Sequence, residues 1–163
     1  MRQPDAAVLQ RVEALRQRYV DALDRRDMAD WLDCFARQDA ASYLCISAEN
    51  MERGLEVALM LDDCRARLQD RVTFVTKVWA GTFQPYRTRH FTQLISCEAQ
   101  PAGTVRVRSN FSIAITPDGG VSDVLAVGEY DDQIVLEGDE PRFLSKRAIY
   151  DTTVLPRYIV YPF

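Results

Sequence analysis

The hydrophobic period of the chain changes once along its length, and that change limits the fold more than any other feature. In the first third, apolar residues recur every three or four positions. Val8, Val12, Leu15, Tyr19, Ala22 and Leu23 line one face, while Arg11, Arg16, Arg18 and Asp21 fill the others. Further on the period is two. Phe91, Gln93, Ile95 and Cys97 alternate with Thr92, Leu94 and Ser96, and Val105 and Val107 alternate with Arg106 and Arg108. The pattern continues through Phe111, Ile113 and Ile115 to a break at Pro117. Helices first and long antiparallel strands second predict an α+β architecture, with N-terminal helices packed on a curved, mostly antiparallel sheet. Strands of this length curl, because flat sheets do not close over a core. An apolar pocket between sheet and helices is the expected result.

Asp5, following Pro4, reads as the N-cap of the first helix. A short second helix begins near Asp27 and buries Trp31, Leu32 and Phe35. Residues 41–47 are short, apolar and partly β-branched, which suits a strand. A third helix is expected from about Met51 to Leu68, with Leu55, Leu59, Asp62 and Arg65 at helical spacings and Gly54 near its start. Asp118-Gly119-Gly120 is a hairpin turn. Val121 to Leu136 forms the next strand, with Gly128 as a bulge or bend. A turn at Glu137–Pro141 leads into a last strand from Arg142 to Leu155. With no linker, repeat or low-complexity stretch, residues 1–163 are expected to form a single domain. A chain of this length buries about 70% of its unfolded surface, enough for a core without staples.

Composition excludes several function classes. The chain has one histidine, so any metal centre drawing two imidazoles from it is ruled out, including a two-His-one-carboxylate iron site and a Rieske cluster. Net charge is −4, and the arginines are interspersed with acids rather than clustered, which argues against nucleic-acid binding. Cys34, Cys45, Cys64 and Cys97 form no C-x-x-C pair, so neither a structural zinc site nor a redox dithiol is indicated. The first residues lead into a charged helical pattern rather than an apolar h-region, so no signal peptide is expected, and no apolar run approaches the ~20 residues of a membrane span. The expected location is the cytoplasm.

Few residues suggest chemistry. His90, in Tyr86-Arg87-Thr88-Arg89-His90 at a strand entrance, would act as a general base only with an orienting carboxylate; otherwise it is structural. Arg87 and Arg89 share one face of an extended segment and could meet a carboxylate of a partner, a substrate or this chain. Asp21, Asp24, Asp27 and the Asp62-Asp63 pair sit at helical spacings that fit solvated surface as well as acid–base work. No G-x-S-x-G elbow, dinucleotide fingerprint or phosphate loop is present. The final run, with Leu155, Tyr158, Ile159, Val160, Tyr161 and Phe163, is too apolar for a free tail. It must fold into the core or dock on another subunit.

Together these segments resemble the small (β) subunits of aromatic-ring-hydroxylating dioxygenases, the Rieske non-haem iron oxygenases. The resemblance rests on Tyr19-Val20-Asp21-Ala22-Leu23-Asp24 with Asp27, Trp31 and Phe35, and on Leu61 to Val72, which looks like that family's L-x-D-R-V helix. Arg87-Thr88-Arg89-His90, Gly128-Glu129-Tyr130 and Lys146 to Asp151 match its strand entrance and two closing strands. It implies a cone-shaped fold of the NTF2-like (SnoaL-like) type and assembly with a large (α) subunit as α3β3, the β subunits forming a trimeric base. The Rieske [2Fe-2S] cluster and mononuclear iron would both belong to the large subunit. This chain would bear no catalytic, cofactor or metal residues, and Arg87, Arg89, His90, Tyr158, Tyr161 and Phe163 would be structural or subunit contacts. The tail and the Asp118-Gly119-Gly120 turn look closest to the branch acting on aromatic carboxylates. Two alternatives remain open: a stand-alone pocket enzyme of the same fold, such as a ketosteroid-isomerase-like protein drawing on Asp24, Asp27 or His90, and a small-ligand-binding domain.

Overall fold

A computed structural model describes residues 4–163. Helix α1 (Ala6–Arg25) starts where the Asp5 carboxylate accepts the Val8 N–H at 2.8 Å. It ends at Arg26, whose φ of 61° and ψ of 31° are left-handed and whose N–H bonds the Ala22 and Leu23 carbonyls. That position normally belongs to Gly or Asn, and an L side chain there costs about 1–2 kcal/mol. Asp27 then caps α2 (Met28–Asp33) through the Asp30 N–H at 2.9 Å.

Six strands form one sheet in the order β2-β1-β6-β5-β4-β3. They are β1 (Ser42–Ser47), β2 (Met60–Asp62), β3 (Tyr86–Ala99), β4 (Thr104–Pro117), β5 (Asp123–Glu137) and β6 (Glu140–Tyr150). All neighbours run antiparallel except β1 and β6, which are parallel. The register slips between Leu94 and Ser96, Ile113 and Ala114, and Gln133 and Ile134. Such bulges bend long strands, and here they curl the sheet around α1, which packs on β3 and β6. The concave face buries Tyr19, Trp31, Phe35, Tyr43, Tyr130 and Phe143 in an edge-to-face cluster with α1 and α2. Each ring of such a cluster adds packing energy beyond its buried area.

Three expectations need correction. The single helix over 51–68 does not form. Instead α3 (Ala48–Glu52) stops at Gly54, which takes a φ of 64°, and the chain runs open to β2 before α4 (Arg65–Thr73). Leu55, Val57, Leu59 and Leu61 fit period two as well as a helix, and the sheet edge at β1 recruits Met60–Asp62. Gly128 is not at a bulge. It pairs in register with Phe111 and Tyr150, and a Cβ there would lie 2.0 Å from the Ile149 carbonyl oxygen, so close backbone approach demands glycine. The last strand ends at Tyr150, not Leu155, and the residues beyond it are an irregular tail.

The apolar pocket expected between sheet and helices is filled by that tail. The Phe163 ring lies 1% exposed against Phe111 and Tyr150. Its N–H donates to Tyr43 Oη at 2.9 Å, and its carbonyl accepts from Tyr19 Oη at 2.6 Å. Of the two destinations open to the tail, the structure takes the core.

Candidate functional site

Three groups of polar side chains stand out. The first joins the C-terminal turn of α1 to the start of β3. The Asp24 carboxylate accepts the His90 backbone N–H at 3.1 Å and the Thr88 hydroxyl at 3.0 Å, and lies 2.6 Å from His90 Nδ1. Burial alone would raise the Asp24 carboxyl, but these bonds, led by His90, hold it below the ordinary carboxylate range. This is the orienting carboxylate a histidine base would need. The other ring nitrogen, Nε2, is sealed from solvent with no hydrogen-bond partner, and the His90 side chain is 2% exposed. In this structure the pair ties the edge strand to α1, with the His90 ring closed to solvent.

The second group surrounds Tyr86. Its hydroxyl accepts the Val160 and Tyr161 N–H groups at 3.0 and 3.2 Å, fixing the tail. The Tyr161 ring stands edge-on to Tyr86 and Phe83, while Tyr158 is exposed and its hydroxyl accepts the Gln84 N–H. Arg157 lies over the Tyr86 and Tyr158 rings at 4.8 and 4.9 Å. Arg87 and Arg89 project to the outer side of β3, opposite His90. The structure thus gathers Arg157, Tyr158 and Tyr161 about Tyr86, while Arg87 and Arg89 face outward, Phe163 lies deeper in the core and His90 turns inward.

The third group was not singled out by its sequence. Lys146 Nζ lies 3.0 and 3.2 Å from the two Asp132 oxygens, and both residues are almost fully buried. The ammonium also sits 3.7, 4.3 and 4.5 Å from the ring centres of Tyr130, Tyr19 and Phe143. Burial pushes the Asp132 carboxyl up and the Lys146 amine down, while each charge counteracts the shift of the other. The rings supply part of the stabilisation that water would give the cation. A signal did exist: Tyr130, Asp132 and Ile134 alternate on one strand face, as do Lys146, Ala148 and Tyr150, so charges fall at core positions. Asp24 and His90, 66 residues apart, carry no comparable signal.

The remaining candidates are engaged locally. Asp21 pairs with Arg25, Asp63 with Arg67, and buried Asp62 with Arg71 at 3.0 Å through two parallel bonds. Burial pushes the Cys34 and Cys45 thiols up to about 12, which suits inert core thiols. A Rieske cluster takes two thiolates and two imidazoles, a donor set this chain does not offer. Among the described residues, no three His, Cys, Asp or Glu side chains converge where they could hold a metal ion. No helix among them is long and apolar enough to cross a membrane.

A mostly antiparallel six-stranded sheet curled around N-terminal helices is the NTF2-like fold, and here its central Asp132–Lys146 pair is closed to solvent. Residues 18–157 match the family model of the ring-hydroxylating β subunit. The chain belongs to that family. It is 30% identical over 148 residues to the small subunit of anthranilate 1,2-dioxygenase from Burkholderia cepacia, covering 91% of this chain and 89% of that one. The solved structure of a Novosphingobium aromaticivorans chain assigned as the β subunit of an aromatic-ring-hydroxylating dioxygenase shares the fold. Its TM-score is 0.79 at 24% identity, over 92% of this chain and 94% of that one. The β subunit of benzoate 1,2-dioxygenase from Burkholderia mallei superposes with a TM-score of 0.72 at 23% identity, over 93% of each chain.

Proposed function

We propose that this chain is the non-catalytic small subunit of a cytoplasmic aromatic-ring-hydroxylating oxygenase. As one domain it assembles with a large subunit that carries the Rieske cluster and the mononuclear iron, in an α3β3 complex whose small subunits form a trimeric base. The complex uses NAD(P)H-derived electrons to hydroxylate an aromatic ring. The relatives that act on anthranilate and benzoate favour an aromatic carboxylate as substrate. The observation that carries the reading is the family match over most of the chain, joined to a buried Asp132–Lys146 pair and a His90 ring closed to solvent. Arg87, Arg89, Tyr158 and Tyr161 lie at the surface or close beneath it, where they can serve subunit contacts, while His90 and Phe163 support them from inside.

Affinity-tagged chain, expressed in its native cells, tests this. The expected result is co-purification of a large subunit with Rieske absorbance, and NADH-dependent ring hydroxylation that needs both polypeptides and a reductase. The Asp24–His90 pair is the one observation favouring a stand-alone pocket enzyme. Turnover of an aromatic or ketone substrate by the isolated chain, lost in His90→Ala, would establish that alternative instead.

A further inference from the structure

The chain is net acidic, and most of its arginines lie within 4 Å of a carboxylate. Arg26, Arg87, Arg89 and Arg157 form no ion pair among the described residues, and all four lie at the end of the molecule where β3 begins. Arg26 and Arg87 line a surface depression of about 340 Å³ with Tyr86, Pro85 and the Asp118-Gly119-Gly120 turn. Its one acid, Asp118, is ion-paired with neither. Arg157 is held beside it by the Tyr86 and Tyr158 rings, which leave its charge unneutralised. Arg89 spends one nitrogen on the Thr88 carbonyl at 2.8 Å and keeps the rest free.

A second observation is independent of charge. Arg26 occupies the left-handed cap of α1, where glycine would relieve the backbone. A strained residue that persists where an unstrained one would fold better points to a role for its side chain. The support beneath it is rigid, since Tyr86 is buried and clamped by the Val160 and Tyr161 N–H groups.

We propose that this depression seats an acidic side chain of the large oxygenase subunit, its carboxylate gripped between Arg26 and Arg87. The inference rests on the small-subunit reading above and adds to it the place and chemistry of one contact. Guanidinium forks match carboxylates in shape and charge, and the volume admits one side chain rather than a helix. Arg89 and Arg157 enlarge the positive field that steers the acid inward.

The test measures affinity between the small subunit and the large subunit recovered with it, for wild type, Arg26→Gly, Arg87→Gln and Arg37→Gln. Arg37 is another exposed arginine without an ion pair, outside the depression, and serves as control. Arg26→Gly and Arg87→Gln are each expected to weaken binding about 5- to 50-fold and to flatten its salt dependence, with Arg37→Gln within about twofold of wild type. The double variant should fall little below the weaker single one, because both arginines hold one carboxylate. In the isolated subunit, Arg26→Gly should leave the melting temperature unchanged or raise it by about 2–4 °C, which separates lost contact from lost fold. Unchanged affinity in both variants overturns the proposal, as does a change in the subunit's self-association alone, which would assign the acid to a second copy. Micromolar binding of free benzoate, lost in Arg87→Gln while large-subunit affinity is kept, also overturns it. If wild type recovers no Rieske large subunit, the small-subunit reading fails before the variants are compared.

Discussion

Asp131 and Asp132 are neighbours in sequence, as are Lys146 and Arg147, and each acid faces its cation across β5 and β6. The pairs have the same charges and adjoining registers, yet opposite surroundings. Asp131 and Arg147 meet at 3.5 Å on the outer face, where Arg106 also holds Asp131. Asp132 and Lys146 meet at 3.0 Å on the inner face, ringed by aromatics and closed to water. The outer pair can exchange its partners for solvent and contributes little. The inner pair cannot, so each charge depends on the other. Alternation along a strand therefore makes one dipeptide both a surface ornament and a structural commitment.

The largest effect should come from breaking the inner pair. Lys146→Met is expected to cost about 3–5 kcal/mol in urea unfolding, because it leaves Asp132 buried and charged without a cation. Combined with Asp132→Leu, stability should return to near the wild-type value or exceed it. A double variant as unstable as the single one would mean that packing, not charge, dominates there. An intermediate loss, about 1.5–3 kcal/mol at neutral pH, is expected for Asp24→Asn, which weakens charge-assisted bonds to Thr88 and His90. The Asp24 carboxyl is depressed in the folded state, so its contribution is complete above its unfolded value near 3.9 and fades as pH falls through the lower folded value. The gap between wild type and Asp24→Asn should hold from pH 7 to about 5 and close below about 4. The smallest effect belongs to the outer pair. Arg147→Gln should cost less than about 1 kcal/mol, and less again in high salt.

How much of this was legible in the sequence follows from the range of each interaction. Helix α1 and strands β4 to β6 were visible because their periods are long and local, and Asp5 and Asp27 announced their helices. The segment 51–68 failed because its leucines satisfy both periods, and only pairing with β1 decides between them. The inner pair was half-legible: charges at inward positions of two strands break the apolar pattern, but only the register shows that they meet. The Asp24–His90 contact and the closing of the tail over Tyr19 and Tyr43 depend on how the sheet curls. No local pattern encodes that curl. The unpaired state of the arginines at the β3 end was equally hidden, since in sequence they look no different from the arginines that are matched.

As proposed here, this chain contributes architecture rather than chemistry to its complex. Native mass spectrometry with metal analysis of the complex that co-purifies with the chain distinguishes the two. Equal numbers of large and small subunits are expected, with all iron in the large subunit and no hydroxylation by the small subunit alone. Stoichiometric iron in the isolated small subunit, or a large subunit that keeps its oligomer and full turnover without it, would contradict an architectural role.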